Sequence, residues 1–181
     1  LNHSNKNNFK ILKLKVDKTN YKHKPKDLDS KLKIVFFGDF NYKPNYEAAN
    51  FIIKLSSKLE MKNFSFYLIG DGLNITNLPK NIFYLGYLEE LDRTLIDMDI
   101  FISPIFTGAG LKNKVLKALS VGLPSIVSSE SLTGLKIDSI NKPFIISNSQ
   151  EEFMESLFLL NSDLKLRKFY SNNAIKFINK Y

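Results

Sequence analysis

The sequence lacks the residues on which several kinds of site depend. It contains no cysteine, which excludes disulfide bonds, thiolate zinc sites and cysteine nucleophiles. Its two histidines, His3 and His23, lie in a lysine-rich N-terminal stretch, where we expect both to be solvated. Residues 34–181 therefore offer no histidine for a Ser-His-Asp triad or a metal site. No apolar run approaches the ~18 residues that a membrane-spanning helix needs.

The composition is that of an ordinary folded domain. The chain has 181 residues, of which 44% are hydrophobic and 24% charged, so a single domain with its own core is expected. Because the chain begins at Leu1 rather than Met, we expect it to be part of a longer protein.

The positive charge is concentrated at one end. The formal net charge is +8, yet residues 1–33 hold ten lysines against three aspartates, which leaves +1 for residues 34–181. We interpret residues 1–32 as a basic connector and residues 33–181 as the domain. Compositional drift explains the basic connector, and so does contact with an anionic membrane surface. We expect a cytoplasmic protein, with or without a place at the membrane face. The nearly neutral domain argues against nucleic-acid binding.

From Lys33 onward, short apolar segments that mostly end at glycine or proline alternate with helical patterns. Strands are predicted at Ile34–Phe37, Phe64–Ile69, Ile82–Leu85, Ile100–Ser103, Ser125–Ser128 and Phe144–Ile146. Helices are predicted at Asn45–Glu60, Glu89–Asp97, Leu111–Val121, 150–160 and 163–179. This alternation predicts an α/β fold, a Rossmann-like parallel sheet with helices on both faces. A further edge strand is predicted at 9–16.

Ligands of such sheets bind beyond the carboxyl ends of the strands, where two loops stand out. Gly108-Ala109-Gly110 precedes a predicted helix, so its backbone either cradles a diphosphate or forms a flexible turn. Lys114 and Lys117 lie three residues apart on that helix, and they face either an anion or solvent. In the other loop, Lys43 either reaches a phosphate or precedes a helix capped by Asn45.

Several segments occur in a familiar order: 34–50 (IVFFGDFNYKPNYEAAN), 68–72 (LIGDG), 82–87 (IFYLGY), 99–104 (DIFISP) and 108–124 (GAGLKNKVLKALSVGLP). Together they resemble the C-terminal, donor-binding domain of glycosyltransferase family 4 enzymes of the GT-B fold. The resemblance covers about residues 33–180.

The resemblance implies retaining, metal-independent transfer of a sugar from a nucleotide-diphosphate donor, without a cofactor. A glycan or other acceptor would bind through an N-terminal domain preceding Leu1. Lys43 and Lys114 would stabilise the departing phosphate. The implied donor-binding residues are Gly38, Gly86, Tyr87, Leu88, Gly108, Ala109, Gly110, Lys114 and Lys117.

One position departs from the family pattern. The family usually carries two glutamates, which fall at Ala109 and Lys117. The second glutamate accepts hydrogen bonds from ribose hydroxyl groups, whereas a lysine ammonium only donates. We therefore expect weak binding of one nucleoside diphosphate, improved by Lys117→Glu. The alternative is a catalytically silent GT-B-like binding or assembly module with a degenerate donor site.

Overall fold

The computed structural model describes residues 22–25, 31–59, 63–108, 113–135, 137 and 142–180. The strands in these ranges are β1 (Leu32–Phe37), β2 (Phe64–Ile69), β3 (Ile82–Gly86), β4 (Ile100–Ser103), β5 (Ser125–Val127) and β6 (Phe144–Ile146). The α-helices are α1 (Lys43–Lys58), α2 (Leu91–Ile96), α3 (Asn113–Ser120), α4 (Gln150–Ser162) and α5 (Leu164–Lys180). The strand predicted at 9–16 and most of the connector lie outside the described residues.

The strands form one sheet in the order β3-β2-β1-β4-β5-β6, and every neighbouring pair is parallel. Strands β1, β2 and β3 follow one another from the centre of the sheet to one edge. Strand β4 lies on the other side of β1, and β5 and β6 continue from it to the opposite edge. Because parallel crossovers are almost always right-handed, these opposite directions place α1 and α3 on opposite faces of the sheet. The predicted α/β fold, a parallel sheet with helices on both faces, is confirmed.

The core is centred on β1 and β4, where the order of the strands reverses. All four residues of β4 are buried, as are five of the six in β1, so both strands lie between helical layers. Continuous apolar runs are typical of strands covered on both faces. The two C-terminal helices belong to these layers, since α4 contacts α1 and α5 packs on α3. The reversal point between β1 and β4 is where such sheets open a crevice for a ligand.

Two local expectations were wrong. His23 is only 6% exposed, and its backbone N–H donates to the carbonyl of Val121 at 2.7 Å, which holds this part of the connector against the domain. Asn45 does not cap α1, which begins two residues earlier at Lys43 with Pro44 in its first turn. The predicted boundary between connector and domain stays a prediction. None of the described helices is long and apolar enough to cross a membrane.

Candidate functional site

The carboxyl ends of β1, β2 and β3 are joined by backbone hydrogen bonds beyond the regular ladder. The Gly38 N–H donates to the carbonyl of Ile69 at 2.9 Å, and the Gly70 N–H donates to that of Gly86 at 2.7 Å. The backbones approach so closely that a Cβ atom on Gly70 would lie 2.0 Å from the Gly38 carbonyl oxygen. Glycine at position 70 is therefore required for three strands to end together at this edge of the sheet.

Lys114, from α3, crosses this edge beside Gly38. Its Nζ donates to Asn45 Oδ1 at 3.0 Å, and Asn45 Nδ2 donates in turn to the carbonyl of Asp39 at 2.7 Å. A Cβ atom on Gly38 would lie 3.1 Å from Lys114 Cε and 2.9 Å from Asn45 Nδ2. The absence of a side chain at Gly38 thus leaves room for the lysine, whose ammonium is held at the reversal point of the sheet.

Gly108, in the segment after β4, lies against the start of α1. A Cβ atom on Gly108 would lie 2.8 Å from Pro44 Cγ and 3.0 Å from the Tyr42 hydroxyl. The neighbouring Thr107 hydroxyl donates to Glu47 Oε2 at 3.0 Å. These contacts bring Gly108 and Lys114 to one small cavity of about 30 Å³. Ala109 and Gly110 lie outside the described residues, so their predicted roles stay predictions.

Three buried serines form a hydrogen-bonded cluster at the end of β4. The Ser128 hydroxyl donates to the carbonyl of Ile105 and lies 2.9 Å from the Ser131 hydroxyl. Ser131 donates to the Ser103 carbonyl at 2.8 Å, and its hydroxyl is 3.0 Å from that of Ser103. The cluster joins the end of β4 to the segment after β5, which fixes the start of the segment that leads to Gly108.

A larger cleft of about 410 Å³ opens on the β2–β3 side of Gly38. Gly38, Tyr87 and Leu88 line it together, as three of the predicted donor-binding residues. Tyr87 is 68% exposed, which leaves its ring available to a planar ligand. Gly86 has a φ of 66°, a conformation that glycine adopts without strain, and it turns the chain from β3 toward Tyr87. The lining of the cleft combines apolar and polar side chains, as in pockets that bind small organic ligands.

The remaining predicted lysines have carboxylate partners. Lys117 forms an ion pair with Asp92 of α2, and the two side chains are 31% and 28% exposed. Lys43 is 86% exposed, and its Nζ lies 3.7 Å from Glu47 Oε1. Lys117 therefore contacts α2, whereas Lys43 lies on the solvent side of α1. Their roles toward a phosphate stay predictions.

Sequence reasoning missed the polar partners that hold the site together. One of the two interpretations of this loop makes Asn45 a helix cap, whereas in the structure its amide links Lys114 to the end of β1. Asp92 was not singled out, because its partner Lys117 is on another helix and nothing local marks the pair. The serine cluster joins residues 28 positions apart, and no spacing rule identifies such contacts.

Burial raises the pKa of two tyrosines, neither of which lines the cavities described here. Desolvation, with a smaller contribution from Asp99, raises the pKa of Tyr67 above 10.0. Desolvation alone raises the pKa of Tyr170. Both phenols therefore stay protonated at neutral pH.

Comparison with known proteins identifies the family. Residues 31–163, most of the chain, match the family described as glycosyl transferases group 1. An uncharacterized glycosyltransferase of Methanocaldococcus jannaschii is 26% identical in a 161-residue alignment that covers 82% of this chain and 41% of that protein. The chain thus spans less than half the length of this curated relative.

Two solved structures share the fold. Anabaena HepE in complex with UDP superposes with a TM-score of 0.69 at 13% identity, covering 84% of this chain and 45% of HepE. The C-terminal domain of LpcC, a group 1 glycosyl transferase from Francisella tularensis, gives 0.65 at 17% identity, over 83% of this chain and 86% of that domain. The chain therefore belongs to the group 1 glycosyl transferases and has the Rossmann-like fold of a GT-B C-terminal domain.

Proposed function

We propose that this chain is the donor-binding half of a sugar-nucleotide glycosyltransferase, with the donor bound at the carboxyl edge of the sheet. The observation that carries the proposal is the Lys114 ammonium beside Gly38, where the strand order reverses. Membership of the group 1 family supports the activity. The UDP complex of HepE, which has the same fold, supports a nucleoside diphosphate as the ligand.

In this arrangement the diphosphate lies over Gly38 and Gly108, and the nucleoside occupies the cleft of about 410 Å³ beside Tyr87 and Leu88. The charge that develops on the leaving diphosphate is stabilised by Lys114, which is already in place before the reaction. We further propose that transfer retains the anomeric configuration and needs no metal ion. The acceptor, a glycan or another molecule, binds through a second domain of the full-length protein.

A second candidate function is a catalytically silent binding or assembly module. The observation that favours it is Lys117, whose ammonium occupies a place for which the family resemblance implies a hydrogen-bond acceptor. The two functions differ in whether the chain binds a nucleoside diphosphate at all.

Calorimetric titration of the chain with UDP, GDP, ADP and CDP distinguishes them. We expect one of the four to bind, with its affinity unchanged by a metal chelator, because Lys114 supplies the positive charge. The corresponding nucleoside monophosphate serves as the control and is expected to bind at least ~5-fold more weakly, since it lacks one charged phosphate. Binding of none of the four would reject the donor-site proposal and favour the silent module. Binding that disappears with the chelator would reject the metal-independent site alone.

A further inference from the structure

The ion pair between Lys117 and Asp92 joins α3 to α2 next to the proposed donor site. Lys117 follows Lys114 by three residues on α3, so the two lysines share one side of the helix about 4.5 Å apart along its axis. In a nucleoside diphosphate the ribose follows the two phosphates. In a ligand whose terminal phosphate lies at Lys114, the ribose is therefore displaced from that lysine. Lys117 lies in one of the directions in which the ribose can be displaced.

The space beside this ion pair is open. Lys117 and Asp92 line a cavity of about 290 Å³ together with Glu89, Glu90, Leu91 and Arg93. Leu91 also lines the larger cleft that contains Gly38 and Tyr87. Leu91 therefore lies between the two cavities, and the ion pair is next to the residue that they share.

The two members of the pair differ in what they offer to a sugar. Ribose hydroxyl groups donate hydrogen bonds well to a carboxylate, and acidic residues recognise ribose in this way in other nucleotide-binding sheets. A lysine ammonium has no acceptor. Glu90 in the same cavity already accepts a hydrogen bond from Arg93 at 2.7 Å. Asp92 is instead tied to the helix that carries Lys114, and its side chain keeps 28% of its surface exposed.

We propose that Asp92 is the residue that recognises the ribose hydroxyl groups of the donor, and that Lys117 positions its carboxylate. This inference rests on the proposed function, because it presupposes that a nucleotide occupies the cleft.

The proposal reverses the expectation for Lys117→Glu that followed from the family resemblance. A glutamate at position 117 loses the attraction to Asp92 and adds a like charge beside Glu89 and Glu90. Asp92 is then repelled from its position. We now expect Lys117→Glu to weaken nucleotide binding rather than improve it.

The test compares two variants that break the same ion pair. Asp92→Asn removes the charged acceptor, whereas Lys117→Met keeps the carboxylate and removes its partner. Each chain is titrated with the tightest-binding of UDP, GDP, ADP and CDP and with its 2′-deoxy and 3′-deoxy analogues. We expect the wild-type chain to prefer the ribonucleotide about tenfold over at least one analogue. Asp92→Asn should abolish this preference, whereas Lys117→Met, which keeps the acceptor but loses the group that positions it, should reduce the preference without abolishing it.

The outcomes separate this inference from the function on which it rests. If the wild-type chain binds a ribonucleotide and both deoxy analogues equally, ribose recognition by Asp92 is wrong while the donor site stands. The same conclusion follows if Asp92→Asn and Lys117→Met weaken all the ligands by one common factor, since the pair then only holds α2 to α3. If the wild-type chain binds no nucleoside diphosphate, the proposed function fails and the inference fails with it. If a variant misfolds, the wild-type comparison still rejects the inference when the ribonucleotide and both deoxy analogues bind equally well.

Discussion

Replacing Gly70 with alanine is expected to lower the free energy of unfolding by about 3 kcal/mol or more. The new Cβ atom would lie 2.0 Å from the Gly38 carbonyl oxygen and 2.8 Å from the Gly38 carbonyl carbon. Both are backbone atoms, so no side-chain rotation relieves the clash. The ends of β1 and β2 must separate, which also breaks the hydrogen bond from the Gly38 N–H to the Ile69 carbonyl. The proposed donor site is built on these strand ends and is expected to be lost with them.

Denaturant unfolding of the two chains measures this loss, and Gly134→Ala provides the matched control. Gly134 also has a positive φ, +85°, but no atom of the described residues lies within 4 Å of the position that a Cβ atom would take there. Replacing Gly134 with alanine therefore lowers the free energy of unfolding only by the cost of the positive φ, about 1–2 kcal/mol. Equal losses in the two variants would mean that the close approach of Gly70 to Gly38 is absent.

Replacing Lys114 with methionine is expected to weaken nucleoside diphosphate binding by about 1–3 kcal/mol, roughly 5- to 150-fold. Methionine preserves much of the apolar stem that lies against Gly38 and removes only the charge and its hydrogen-bond donors. The ammonium is within 3.0 Å of Asn45 Oδ1, so it is already held in place when the ligand arrives. Calorimetric titration with the best of the four nucleoside diphosphates measures the effect.

Lys43→Met is the comparison for this second prediction. Lys43 is 86% exposed and pairs with Glu47 on α1, so removing its charge should change the affinity much less than removing that of Lys114. A larger effect of Lys43→Met would assign the main phosphate contact to the other lysine that the sequence predicted. Thermal unfolding of both variants shows whether a loss of binding reflects a loss of folding.

Each strand of the sheet was predictable because its signal is local. Ile100–Ser103 is an apolar run closed by a proline, and the prediction matches β4 at both ends. Phe64–Ile69 likewise matches β2, where glycine ends the run. The helix predicted over 45–60 begins two residues late, because Lys43 and Pro44 already belong to α1. Proline is well suited to the first turn of a helix, where its missing N–H has no partner to lose.

The site was predictable only in part, because its residues meet through the fold. Gly38, Tyr87 and Leu88 were predicted from motifs, and the structure brings them to one cleft. Asp92 and Lys117 lie on different helices, so their ion pair depends on where the fold places α2 relative to α3. The burial of His23 was not predictable for a similar reason, because nothing in a polar, lysine-rich stretch indicates that one of its residues packs on the domain.

Backbone amide NMR of the chain, titrated with the nucleoside diphosphate that binds best, tests the central claim most directly. A site at the carboxyl edge of the sheet predicts the largest chemical-shift changes at Gly38, Gly108 and the residues around Lys114. The amino ends of the strands, such as Phe64 and Phe144, should change little because they lie at the opposite edge. Changes centred on those amino ends, or none at saturating ligand, would contradict the account.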